Sequence, residues 1–156
     1  MWERLQRFRT LDPAARGLFL RAWIALPVIS VCLRLRSFGP TQAALRRFLP
    51  SDSKLRGPAE GQACDEALPA ARMVRAAAYF GAWRFTCLEK SLTLWWLLGR
   101  QGIASTVRIG ARKSEGKFEA HAWVESGGVA LLEPDEPDRH YAAFEGAFSA
   151  PRPQVR

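Results

Sequence analysis

The stretch that decides the fold is Thr86-Cys87-Leu88-Glu89-Lys90-Ser91-Leu92-Thr93-Leu94-Trp95-Trp96-Leu97-Leu98, with Gly102 shortly after it. Thr86 and Glu89 stand at the S/T-x-x-E spacing of a capping box, so a helix is expected to begin at residue 87 and to stop before Gly102. Leu92 and residues 94–98 are apolar nearly all round, which predicts a helix buried on every side. Cys87 falls in the first turn, where unpaired backbone N–H groups and the positive end of the helix dipole favour a thiolate. An ordinary cysteine is a small buried hydrophobe. A thiol held rigidly at the mouth of a central helix is instead a candidate nucleophile. Cys32, inside an apolar helix, and Cys64, in a polar stretch, have no such setting.

Downstream, Ile103 to Gly110 and Phe118 to Glu125 each alternate apolar and polar residues, with the polar stretch Arg112 to Lys117 between them. This predicts two antiparallel strands. On the second, Glu119, His121, Trp123 and Glu125 share one face, and Phe118, Ala120, Ala122 and Val124 the other. A third strand, Val129 to Glu133, follows. If Ser126-Gly127-Gly128 is the loop, Glu125 pairs with Val129 and Glu133 falls opposite His121, where a carboxylate fixes the tautomer of a general base. A two-residue loop at Gly127-Gly128 shifts the register and removes that pairing. A helix-start Cys, then a strand His, then a carboxylate is the chain order of papain-type and transglutaminase-type sites. His140, in a Pro- and Asp-rich loop, reads as a surface residue.

Upstream, Asp12-Pro13 reads as N-cap and first helical position. The helix presents Leu18, Ala22, Leu26, Ile29 and Leu33 as a stripe edged by Arg16, Arg21, Arg34 and Arg36, a core-facing pattern before it is a docking or membrane-surface one. Thr41 to Leu49 suggests a second short helix. Pro50 to about Cys64 reads as a loop, and Pro69 to Phe80, with Met73, Val74 and Ala77 on one side, as a helix. The expected organisation is a helical extension over 1–49, a linker over 50–65, a catalytic core over 66–148 and a tail over 149–156.

A chain of 156 residues suits one core. Three cysteines without C-x-x-C spacing match neither a disulfide framework nor a zinc site, so a reducing cytoplasm is expected. The run Ala22 to Leu33 is short for a membrane span, contains Pro27 and is closed by Arg21 and Arg34. No transmembrane helix or signal peptide is expected, and the protein is expected to begin at Met1. The net charge of +8 suits an acidic partner, whether peptide, lipid or nucleic acid. No nucleic-acid motif accompanies it, and nucleic acid is set aside.

Residues 86–92 and 94–98, then Gly102-Ile103, Arg108-Ile109-Gly110 and Ala120-His121-Ala122-Trp123-Val124-Glu125, resemble the leader peptidases of lasso-peptide biosynthesis, a bacterial branch of the transglutaminase-like superfamily. The resemblance runs from about Phe80 to Phe144. It implies an α+β fold, a transglutaminase-like (papain-like) core in which the Cys helix packs on a small antiparallel sheet, behind an N-terminal helical extension. It implies hydrolysis of the bond joining leader to core in a ribosomally made precursor, with Cys87 as nucleophile and His121 as base. The third member is usually Asp in that family; Glu133 occupies the matching place here and Asp135 is the reserve. The implied partners are the precursor, a small leader-binding protein and a separate ATP-dependent cyclase, and no cofactor or metal is needed. If the N-terminal helix docks a partner, its charged edges make it the candidate surface for an acidic complex, and membrane association through it is not the expected reading. The Cys87 backbone N–H is the expected oxyanion donor; Trp83, through its indole N–H, is a weaker second candidate than a packing residue. Acyl transfer to an amine, and non-catalytic peptide binding, remain open alternatives.

Overall fold

The computed structural model describes residues 12–51, 55, 62–81, 83–114, 117–131 and 142–143. Four helices precede the sheet in chain order: α1 (Pro13–Arg36), α2 (Phe38–Arg46), α3 (Gln62–Phe80) and α4 (Cys87–Arg100). They are followed by β1 (Thr106–Ser114), β2 (Lys117–Ser126), β3 (Val129–Leu131) and β4 (Ala142–Ala143). The strands form one antiparallel sheet in the order β3-β2-β1-β4. This is the expected α+β arrangement, with the cysteine helix between the other helices and the sheet.

α4 is the centre of the core. Leu92, Leu94, Leu97 and Leu98 are fully buried, and each contributes roughly 1.5–3 kcal/mol relative to exposure. α3 reaches α1 and α4 through Ala67, Ala70, Ala71, Val74 and Ala77, small side chains that let helices approach closely. It starts at Gln62, seven residues before the expected Pro69, and carries that proline inside. Proline removes one helical hydrogen bond. Burial of Ala67 on one side of it and of Ala70, Ala71 and Val74 on the other outweighs that local cost.

α1 begins as expected, with Asp12 accepting the Ala14 N–H at 3.2 Å and Pro13 in the first turn. It continues through Pro27, so the apolar run is part of a 24-residue helix rather than an interrupted segment. By length and composition that helix could cross a membrane. Its inner face, Ala22, Ala25, Leu26, Ile29 and Ser30, is packed into the common core, so the segment expected as an extension shares its interior with α3 and α4. α2 starts three residues earlier than expected, after the single joint residue Ser37 at φ 64, ψ −179. That backbone region is close to glycine-only and costs about 1–3 kcal/mol elsewhere in proteins.

The hairpin β1/β2 is longer than its alternation suggested. Its ladder extends outward to Ser114↔Lys117 through residues expected as loop. At the other end, β2 and β3 pair as Ser126↔Val129, Glu125↔Ala130 and Val124↔Leu131. The loop is therefore Gly127-Gly128, at φ 58 and 79, the positive pair a type I′ turn requires. The three-residue loop is corrected, and with it the register that set Glu133 opposite His121.

Candidate active site

Thr86, in extended conformation, caps α4: its hydroxyl accepts the Glu89 N–H at 3.3 Å, while Glu89 Oε2 accepts the Thr86 N–H at 2.6 Å. The capping box read from the sequence is present, and Cys87 is the first residue of the helix, half-buried with a free thiol. Glu89 does more than cap. Its Oε1 accepts the hydroxyl of Ser30, on the buried face of α1, at 2.5 Å, and both residues are buried. Burial pushes the Glu89 carboxyl up. The bonds from Ser30 and from the Thr86 backbone and hydroxyl, with the charge of Arg34, outweigh it and hold the group below its ordinary value.

The other end of the connection is on β2. Ser91, one turn after Cys87, donates its hydroxyl to the carbonyl of Ala122 at 3.0 Å, and both residues are buried. Four residues of helix rise about 6 Å, so this bond ties the helix one turn after Cys87 to the Ala122–Trp123 peptide of the strand that carries His121. Alternation along β2 assigns the two sides. Val124 joins the helical core together with its pairing partners Val107 and Leu131. His121, Trp123 and Glu125 form the alternate set. The imidazole of His121 stacks on the Trp123 ring at 6.2 Å between centroids and 17° between planes, and its Nε2 is buried. Trp123 is fully buried and donates its indole N–H to Glu125 Oε1 at 2.9 Å; Arg108 Nε donates to Oε2 at 2.9 Å. A polar chain thus locks the ring that His121 rests on.

The Ser91–Ala122 bond ties the cysteine helix to the strand that carries His121. Glu133, Asp135 and His140 lie outside the described residues. Cys32 is half-buried within α1, and Cys64 is in α3. Trp83 is 58% exposed and lines an apolar groove, with Trp23, Ile24, Pro27, Val28, Gly81 and Phe85. Sequence reasoning missed Ser30. Its only signal was a hydroxyl within an otherwise apolar run, and its partner is 59 residues away.

A thiol-bearing helix start, packed against an antiparallel sheet with a histidine strand beside it, is the architecture of the cysteine-centred α+β enzymes. A model of the transglutaminase-like superfamily, its transglutaminase core, matches residues 25–145, and the chain belongs to that superfamily. The match starts inside α1 and runs past β4, so it includes the helix that carries Ser30. Members of the superfamily are in general cysteine-based peptidases or transglutaminases. No characterised protein and no solved structure matches the chain.

Proposed function

We propose that this protein is a cysteine peptidase that removes the leader from a ribosomally made lasso-peptide precursor, with Cys87 as nucleophile and His121 as general base. The observation that carries the reading is the double fixation of the Cys87 turn, by Glu89 to Ser30 and by Ser91 to the strand residue beside His121. Rigid placement of a nucleophile next to a potential base is what acyl transfer needs from a scaffold.

In the proposed reaction, His121 takes the proton of the Cys87 thiol as sulfur attacks the scissile carbonyl carbon. The Cys87 N–H, unpaired at the helix start, donates to the developing oxyanion. The C–N bond breaks, and His121 returns the proton to the departing amine. Water then hydrolyses the thioester, releasing the leader carboxylate and the thiol. Glu133 is the proposed carboxylate for His121 and Asp135 the alternative, on the family resemblance alone. The cognate leader-binding protein, by holding the leader on the peptidase, raises the local concentration of the scissile bond to roughly millimolar if the connecting segment is short.

The test is mass spectrometry of a lasso-peptide precursor with its leader intact, incubated with the peptidase with and without a leader-binding protein. A leader product heavier than the acyl fragment by one water, lost in Cys87→Ala and in His121→Ala, is expected. Cleavage by Cys87→Ala at the parent rate refutes the assignment. A product coupled to an added amine in place of water converts the reading to acyl transfer.

A further inference from the structure

α1 is committed on one side only. Leu20, Ile24, Val28, Val31 and Leu35 recur at steps of four, four, three and four, which is one helical stripe, and they are between 46% and 78% exposed. No charged residue interrupts the stripe over its roughly 22 Å. Trp23, 51% exposed, widens it toward the neighbouring Trp83, and between them opens the groove of about 380 Å³. Monomeric soluble proteins rarely leave contiguous apolar patches of more than a few hundred Å² without a use. The borders are basic: Arg21, Arg34 and Arg36 are exposed and Arg16 half-buried, in a chain of net charge +8.

We infer that this face of α1 lies on an anionic membrane surface. An apolar stripe bordered by arginines, with tryptophan beside it, meets both layers of such a surface: acyl chains take the stripe, and lipid phosphates take the guanidinium groups. The helix does not span, although its length and composition would allow it. Its opposite face is filled by Ala22, Leu26 and Ile29 in the protein core and by Ser30 on Glu89. A helix with one side in a protein interior lies in the plane of the bilayer. This inference is independent of the proposed peptidase activity.

The experiment is co-sedimentation of the full chain with vesicles of equal phosphatidylglycerol and phosphatidylcholine, against pure phosphatidylcholine, over a salt series. Binding to the anionic vesicles, weakened at high salt, is expected. Leu35→Glu and the pair Ile24→Glu, Val28→Glu should each weaken it at least about tenfold. Replacing Arg21 and Arg36 by Gln should cost about fivefold per charge. Since all these residues are exposed, the variants should keep the parent melting temperature and circular dichroism; Leu35→Gln, shortening no core contact, is the control if a Glu variant misfolds. Absence of binding to anionic vesicles overturns the inference, as does binding indifferent to the stripe variants. So does a concentration-dependent dimer, or a complex with the leader-binding protein, that the stripe variants abolish while vesicles are ignored; those outcomes assign the face to a second copy or to that protein.

Discussion

Removing the Ser30 hydroxyl is the sharpest probe of how the Cys87 turn is held. Ser30→Ala changes one oxygen in a site where donor and acceptor are both buried. A hydrogen bond to a charged group contributes roughly 1.5–3 kcal/mol. For a domain of this size that corresponds to a fall in melting temperature of roughly 4–10 °C. Glu89→Gln leaves a neutral acceptor, and a neutral bond contributes only about 0.5–1.5 kcal/mol. Ser30→Ala should therefore cost less in the Glu89→Gln background, with a coupling of about 1 kcal/mol. The pH dependence has a defined sign. The folded Glu89 carboxyl lies below its ordinary value of 4.5, so the stability it contributes is complete above that pH and fades as pH falls through the folded-state value. Ser30→Ala moves that loss to higher pH, and Glu89→Gln removes Glu89's share of it. Urea unfolding of the four proteins from pH 7 to pH 3 is the assay. An effect of Ser30→Ala below about 0.5 kcal/mol, or strict additivity with Glu89→Gln, refutes the tether.

Iodoacetamide at neutral pH should modify Cys87 ahead of Cys32 and Cys64 in native protein, read by peptide mapping; preferential labelling of Cys64 with Cys87 inert removes Cys87 as nucleophile. For the third member, Glu133→Gln should reduce cleavage far more than Asp135→Asn, by up to roughly ten-thousand-fold, and the reverse order transfers the role to Asp135. Two backbone substitutions should move stability in opposite directions. Ser37→Gly relieves a positive-φ serine and should stabilise by about 1 kcal/mol, while Gly128→Ala, at φ 79 with open space for its Cβ, should destabilise by about 1 kcal/mol. Urea midpoints check both.

Local chemistry was legible in the sequence, and long-range chemistry was not. The Thr86–Glu89 box and the Asp12-Pro13 start are settled within three residues, and both form where their spacing puts them. The burial of α4 follows from its composition. The β2/β3 register turned on whether Ser126 belongs to the strand. The pair Gly127-Gly128 carries the signal for the tighter turn, because two adjacent glycines supply both positive φ values without strain. The start of α3 escapes a reading that stops at proline, because packing on both sides of Pro69 decides the matter. Within the site, the cysteine's position was readable from its cap. What holds that cap, Ser30 from α1 and the Ala122 carbonyl from β2, depends on tertiary packing that no spacing encodes.

The two faces of α1 allow its two roles to be separated. Ser30 faces inward to Glu89, while Val31, the next residue, is on the exposed stripe. A helix is about 10 Å across, so whatever occupies the outer face sits one helix diameter from the tether that holds the Cys87 turn. Substitution on the outer face leaves the Ser30–Glu89 bond intact. Leu35→Glu, in the last turn and 78% exposed, should therefore bind anionic vesicles poorly yet react with iodoacetamide at Cys87 at the parent rate in vesicle-free solution. Ser30→Ala should do the opposite. With Glu89 less firmly held, the Thr86 cap loosens and Cys87 leaves the ring of helix-start amides for part of the time, lowering its labelling rate. Its outer stripe is unchanged, so vesicle binding should stay at the parent level. A Leu35→Glu protein that loses Cys87 reactivity in solution would show that the faces are not independent, and that α1 transmits surface contacts to the thiol.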